Sequence, residues 1–528
     1  MMRAPLLRSA AMALAFTSSA CSLAPKYVTP AAPVTPGWPV GDAYLLQSEA
    51  NLPVVSYAEI FRDPRLQQLI AGALGNNRDI RVAAANLAAA RAQVRVVRAD
   101  QFPALGVRGS ATYAERGNSN STTGTTTGNT GTGGAGTGTG NASTGNTGTG
   151  NTGAGTGNSG AGGTGAGLVT TTSSRNGWTF SAQGVASSFE IDFFGKYANA
   201  TEAQRNTALA SEASARTVRL GLIADLAQAW ATYGSDRDLM TLAEATARNA
   251  QRSVDLTSLR LKGGVAPRTD LRQAEQVLET ARGDLAQQKA ALAQDANVMR
   301  LLVGAEFDEA LLPANIGEVV NTLATLPAGT SSQVLLRRPD VVQAEYELRS
   351  ANADIGVARA QLFPSISLSG VLGFASNALS SLFSGGAFSW SAGADASYSI
   401  FNAGGRRANV KVSQARRDAA LASYERAIQV AFREVADALA DQGTLGERLR
   451  AASANTAAAA DTATLSEARY RFGVDNFLSS LDAQRSLYSA QRSEIATRLA
   501  VATNRVTLYR VLGGDAATAT PAEAPRSR

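Results

Sequence analysis

This chain lacks most of the side chains that covalent and metal chemistry uses most often. In 528 residues it has no His and a single Cys, Cys21. Imidazole general bases, His/Cys metal sites and disulfides within the chain are therefore excluded. No phosphate loop of the G-x-x-x-x-G-K-[ST] type and no G-x-S-x-G elbow occurs. Arg3 and Arg8 give a positive region, Ala10 to Phe16 a short apolar run, and Thr17-Ser18-Ser19-Ala20 small residues directly before Cys21. That order describes an export signal over 1–20. The chemistry open to a lone Cys at that place is acylation; the bland alternative is ordinary cleavage nearby with a free thiol.

The composition of the rest of the chain speaks of shape. Hydrophobic residues make up 44% but aromatics only 6%, and Ala is abundant, which suits long close-packed helices better than a large globular core. The net charge of +6 carries no Lys/Arg block, so it reads as a solvated surface and not as a nucleic-acid footprint. Beyond the N-terminus no stretch of 18 apolar residues occurs, so helical membrane spans are not expected.

One junction organises the sequence. Before Pro364 the chain is Ala-rich with helical spacing; after it, Ile366, Leu368, Gly370, Leu372 and Phe374 alternate with Ser365, Ser367 and Ser369. Proline disfavours helix at the preceding residue, so a period of 3.6 gives way to a period of 2. The same junction occurs at Phe102-Pro103. There Leu105, Val107, Gly109, Ala111 and Tyr113 alternate with Arg108, Ser110 and Thr112. Two further strands are expected, from Trp178 and from Phe388, each with one apolar and one polar face. Strands of ten to thirteen residues with this pattern have the length and alternation of transmembrane β-strands.

Two long helices are expected from Gly195 to about Lys262 and from Gly404 to Arg471, each about 100 Å at 1.5 Å per residue. Each turns at a glycine, Gly264 or Gly473, and returns as a second helix. Gly264 and Gly473 are 209 residues apart, as are Gly304 and Gly513, whereas Phe102 and Phe363 are 261 apart. The chain is thus a duplicated unit. The 52 extra residues fall in the Gly/Thr/Asn/Ser tract of the first half, expected to be a disordered loop.

The organisation predicted is as follows. Residues 1–20 are the signal and 21–60 a Pro-rich tether; 61–101 are first-half helices. A β-hairpin spans 102–192 with its loop at 117–177, and a helical hairpin spans 193–304. An equatorial segment follows at 305–336, a helix at 337–362, a second β-hairpin at 363–401, a second helical hairpin at 402–512, and a disordered tail at 513–528. Four membrane strands cannot close a barrel, and an open edge is not tolerated in lipid. The strands therefore demand a homo-oligomer. The polar faces, with Arg108, Gln183 and Asp395, would line the pore.

Several segments carry a resemblance. They are Leu335-Leu336-Arg337-Arg338-Pro339-Asp340-Val341 with Ala344-Glu345, Ala351-Asn352-Ala353-Asp354-Ile355-Gly356, and Phe363-Pro364-Ser365. Others are Cys21-Ser22-Leu23-Ala24-Pro25-Lys26-Tyr27, Tyr470-Arg471-Phe472-Gly473-Val474-Asp475-Asn476 and Leu481-Asp482-Ala483-Gln484. Together they resemble the outer membrane factor (TolC-like) family, in its lipoprotein branch serving resistance–nodulation–division multidrug efflux systems. The resemblance covers nearly the whole mature chain except the Gly/Thr tract. It implies a mixed α/β membrane protein: a homotrimer whose twelve-stranded outer membrane β-barrel is continuous with a periplasmic α-helical barrel. Such a protein is a passive exit duct, not an enzyme, has no cofactor, and works with a periplasmic adaptor and an inner membrane pump. Cys21 would be the acylated anchor in the outer membrane. A periplasmic gate would lie at the second hairpin tip, with Asp475 and Asp482 and with Tyr470, Arg471 and Arg485 as their partners. Gly264 and Gly473 would be adaptor-docking tips. Two readings stay open beside this: a surface-exposed adhesive coiled-coil lipoprotein, and the duct of a type I protein export system.

Overall fold

The computed structural model describes residues 22–35, 38, 56–114, 177–324 and 332–514. Cys21, most of the Gly/Thr-rich loop and the tail from 515 lie outside the described residues. The chain divides into two compact units: a helical one of 1–100, 192–363 and 399–528, and a sheet of 101–191 and 364–398.

The helical unit starts with α1 (Tyr57–Ile60), α2 (Pro64–Asn76) and α3 (Arg78–Ala99). Asp63 caps α2 through Arg65 N, and Pro64 occupies its first turn. Asn77 caps α3, accepting from the amides of Asp79 and Ile80. Two helices of equal length, α4 (Lys196–Lys262) in the first half and its counterpart Gly405–Arg471 in the second, define the duplication. In the first half α4 leads to α5 (Arg268–Val303). A segment with α6 (Ile316–Thr322) then leads to α7 (Pro339–Ala360). In the second half α8 (Gly405–Arg471) leads to α9 (Phe477–Val511). Both α4 and α8 have 67 residues. Each follows a left-handed glycine, Gly195 at φ 71° or Gly404 at φ 82°. Each hairpin turns at another, Gly264 at φ 72° or Gly473 at φ 74°. These positions need glycine because a Cβ in the left-handed region is strained.

The core lies where α2, α4, α6, α8 and α9 converge. Trp230, Tyr424, Tyr509, Phe61 and Leu226 are fully buried there. The Trp230 indole N–H donates to the Leu311 carbonyl at 3.1 Å, so its one polar atom is satisfied. Away from this belt the hairpins bury mostly alanine: Ala243, Ala250, Ala274 and Ala281. Close helix approach there leaves little apolar area to hold the rods.

The sheet is an antiparallel meander, β1 (Leu105–Ala114), β2 (Gly177–Glu190), β3 (Ser365–Ser376) and β4 (Phe388–Ser397), in that order. Its register matches face to face. Val107 opposes Gly184, Gly184 opposes Leu372, and Leu372 opposes Trp390, which puts the apolar residues of all four strands on one side. The β2 alternation slips at Ser187, and a bulge between Ala186 and Phe189 restores it. Phe189 then opposes Leu368 while Glu190 opposes Ser367 on the polar side. Tyr113, Trp178, Phe180, Phe374 and Phe388 gather at the hairpin-loop end, with ring centroids 5.5 Å apart for Tyr113–Trp178 and for Phe374–Phe388. An aromatic band at the end of an apolar strand face is the pattern of a membrane–water interface.

The described start of the 21–60 segment departs from a free tether. Residues 22–35 form neither helix nor strand, yet they are fastened to α7 and α4 by hydrogen bonds.

Candidate functional site

The chemistry of the helical hairpins concentrates at their tips. The loop between α8 and α9 is closed by an ion pair: Arg469 Nε and Nη2 donate to Asp475 at 2.6 and 3.1 Å. The Arg469 hydrogen bond holds the Asp475 carboxyl below the usual carboxylate range. The pair therefore stays ionised at neutral pH and is lost only as pH falls through that lowered pKa.

Tyr470, beside it, is buried against Ala274, Phe477 and Leu481, with the Phe477 ring at 5.4 Å. The guanidinium of Arg260, in the last turn of α4, lies over the Tyr470 ring at 4.7 Å and donates to the Tyr470 carbonyl at 3.4 Å. One latch thus joins the two hairpin tips. Higher up, the Tyr488 hydroxyl of α9 donates to Asp284 of α5 at 3.1 Å. Between these ties a groove of about 590 Å³ separates the hairpins, lined among others by Asn249, Arg471 and Gln484. With so little apolar contact, the polar ties carry much of the association.

The five expected gate residues are thus divided. Asp475 and Tyr470 stand at the latch. Arg471 does not pair with Asp475; it reaches back one turn to Glu467 at 2.5 Å, the usual i to i+4 arrangement. Arg485 is 3.9 Å from Asp482, and both side chains are more than half exposed. At that distance in water the pair contributes little. Sequence reading missed Arg469 and Arg260. The signal was present in the duplication: the 209-residue offset aligns Arg260 with Arg469 but Ala266 with Asp475. The first tip has the arginine without the carboxylate, so Arg260 turns to Tyr470. The tip glycines Gly264 and Gly473 are flanked by exposed apolar residues, Val265, Phe472 and Val474.

In the sheet, Arg108 opposes Gln183 and Asp395 opposes Ser367, all on the polar face with the serines. The apolar face is bare: Val107 is 91% exposed and Trp390 72%. Among the described residues no helix is long and apolar enough to cross a membrane. No group of His, Cys, Asp or Glu among them could hold a metal ion.

A bare apolar strand face with a polar reverse, joined in sequence to two Ala-rich helical rods, defines an outer membrane channel with a periplasmic helical domain. The family model "Outer membrane efflux protein" matches residues 69–305 and 330–514, and the chain belongs to that family. It is 38% identical to the probable efflux pump outer membrane protein TtgC of Pseudomonas putida, over 95% of this chain and 94% of that one. It is 34% identical to the cation efflux system protein CusC of Escherichia coli, over 95% and 98%. A solved CusC structure superposes with a TM-score of 0.76 at 33% identity, covering 94% of this chain and all of that one. The open-state MtrE outer membrane channel of Neisseria gonorrhoeae superposes at 0.74 and 29% identity, over 94% and 98%. The protein is an exit duct of an efflux pump in the outer membrane.

Proposed function

We propose that three copies of the chain close one twelve-stranded barrel and conduct small molecules passively from periplasm to exterior. The observation that carries this is the pair of open sheet edges. Among the described residues β1 pairs only with β2 and β4 only with β3, so each chain presents two unpaired edges there beside a bare apolar face. Lipid offers those backbone groups no partner, and four strands are half the smallest closed barrel. In the helical unit, α3 buries no residue of its own, as expected of a helix completed by a neighbouring copy.

A periplasmic adaptor docks at the Gly264 and Gly473 tips in this reading, where Val265, Phe472 and Val474 are exposed, and an inner membrane pump drives transport. The resting gate is held by the Arg469–Asp475 clip and the Arg260–Tyr470 latch, with Asp482 facing the axis as a carboxylate ring that attracts cations. Cys21 carries the acyl anchor. The test is the native mass of the protein extracted from outer membranes with its lipids retained. A trimer carrying acyl groups on each chain is expected. A folded monomer would remove the shared barrel.

A further inference from the structure

α3 and α8 carry the same charge pattern where the chain passes between helix and strand. From Ile80 to Ala99 α3 has no carboxylate, and from Ala396 to Arg417, the stretch that starts α8, there is none either. On α3, Arg91, Arg95 and Arg98 recur at spacings of four and three and share one stripe. Arg91 Nη2 donates to Glu212 Oε2 of α4 at 2.9 Å. Arg95 and Arg98 lie in the last two turns before β1, exposed and without an ion pair among the described residues. On α8, Arg407 and Lys411 stand one turn apart in the first two turns after β4, and they too are exposed and unpaired. Further along α8, Arg417 has its partner in Asp418 at 2.8 Å. The connections between these turns and the strands carry bare apolar side chains: Phe102 is 60% exposed, Ile400 94% and Phe401 86%.

The helices stand in a row: α3 packs on α4, α4 on α7 and α7 on α8. The strands they enter or leave run in the same order, β1 to β4. α3 and β1 are first in their rows, and α8 and β4 last. In a three-copy barrel β1 of one copy lies beside β4 of the next. The short connections 100–104 and 398–404 carry that order over to the helices, so α3 of one copy meets α8 of the next. Each seam then gathers Arg95 and Arg98 from one side and Arg407 and Lys411 from the other. Asp100 is the one carboxylate at this end of the two helices, which leaves three positive charges unanswered. Another copy cannot supply the missing charge, because the same two edges meet at every seam. Like charges gathered in this way repel, so the seam favours an anion from outside the protein. A cationic cluster beside bare Phe102, Ile400 and Phe401 suits a ligand with a charged head and apolar tails.

We propose that each seam between copies binds the headgroup of an anionic phospholipid of the periplasmic leaflet, held by Arg95, Arg98, Arg407 and Lys411. Arginine offers the phosphodiester a planar fork of donors and lysine a point charge. The lipid neutralises the seam and so ties neighbouring copies together. A neutral lipid leaves the repulsion in place. The site rests on the three-copy barrel, because one chain carries only half of it at each edge.

The test is native mass spectrometry of the full-length protein, extracted from outer membranes and stripped of lipid in a neutral detergent. Phosphatidylglycerol and phosphatidylcholine with the same chains are titrated separately. The wild-type trimer should bind phosphatidylglycerol about tenfold more tightly or better, one per seam. Arg95→Gln with Arg98→Gln, and Arg407→Gln with Lys411→Gln, should each lower that preference. All four together should remove it while the trimer mass stays unchanged. The same loss of charge elsewhere on the helices, by Arg248→Gln, Arg272→Gln, Arg282→Gln and Arg433→Gln, should leave the preference intact. A trimer that takes both lipids alike, a preference that survives the fourfold seam variant, or one lost equally in the control variant overturns the site. If the fourfold variant does not assemble, the wild-type comparison and the two double variants still decide. Glycerol phosphate that displaces the lipid at equal concentration would make this a site for free anions and overturn the lipid assignment. A monomer in the wild-type spectra overturns the shared barrel, whereas a trimer without lipid preference overturns the seam site alone.

Discussion

At the scale of single residues, the tip latch makes the first prediction. Asp475→Ala releases Arg469, and Arg260→Ala releases the Tyr470 ring and carbonyl. Each is expected to raise single-channel conductance in planar bilayers, and the double variant to raise it further. An unchanged conductance in both single variants would remove the latch from the gate. Because Asp475 is held ionised below the usual range, its pair should weaken only in strong acid.

A second pair behaves in the opposite sense. Asp236 of α4 and Asp295 of α5 meet across the first hairpin. Burial, then the charge and hydrogen bond of Asp236, push Asp295 up to about 6. Beside them lies Tyr233, whose hydroxyl feels Arg237, Glu309 and Asp295. A carboxyl with a raised folded-state pKa contributes stability that is full below the unfolded value and lost as pH rises through about 6. Thermal stability should therefore increase on acidification from pH 7 to pH 5. Asp295→Asn should flatten that profile and stabilise the protein at pH 7, by about 1 kcal/mol after solvent screening. A profile equally steep in Asp295→Asn would assign the pH dependence elsewhere.

At the scale of elements, α7 is tied to α8 and α9 by one buried cation. Arg338 is 7% exposed and pairs with Asp340 at 2.7 Å and Glu434 at 2.8 Å, while Nη1 donates to the Val511 carbonyl at 3.1 Å. Removing the cation leaves a part-buried carboxylate and the end of α9 without partners. Arg338→Ala should cost about 3 kcal/mol, read as a lower unfolding midpoint. Gly304 ends α5 at φ 72°, and a Cβ there would meet the Asn76 carbonyl oxygen at 2.7 Å. Gly304→Ala should destabilise by more than the ~1–2 kcal/mol of left-handed strain alone. In both cases the element boundary is legible in the sequence, at Pro339 and at Gly304. The partner across space is not, because 173 residues separate Arg338 from Val511.

At the scale of the whole molecule, the bare apolar sheet face sets the last prediction. Val107→Arg places a charge where lipid should be, at a cost between the roughly 2–4 kcal/mol of the bilayer midplane and the ~1 kcal/mol of an interface. Outer membrane yield should fall, whereas Arg108→Ala, on the polar face, should assemble normally and change only conductance. Equal loss from both would argue against a lipid-facing side.

By itself the sequence determined the alternation that makes four two-faced strands, the proline junctions that start two of them, and the glycines that turn the hairpins. Each is a local property, decided by the φ angle of one residue or by the period of a few. It also excluded, through the absence of His and all but one Cys, imidazole bases and disulfides within the chain. Only the tertiary structure decided which arginine answers Asp475 and where Arg260 goes. It also decided that the described start of the N-terminal segment is fastened to α7 and α4 instead of trailing free. Those outcomes depend on side chains brought together from distant parts of the chain, where several charges of equal local propensity compete for one partner. Propensity does not rank such competitors; distance and burial do.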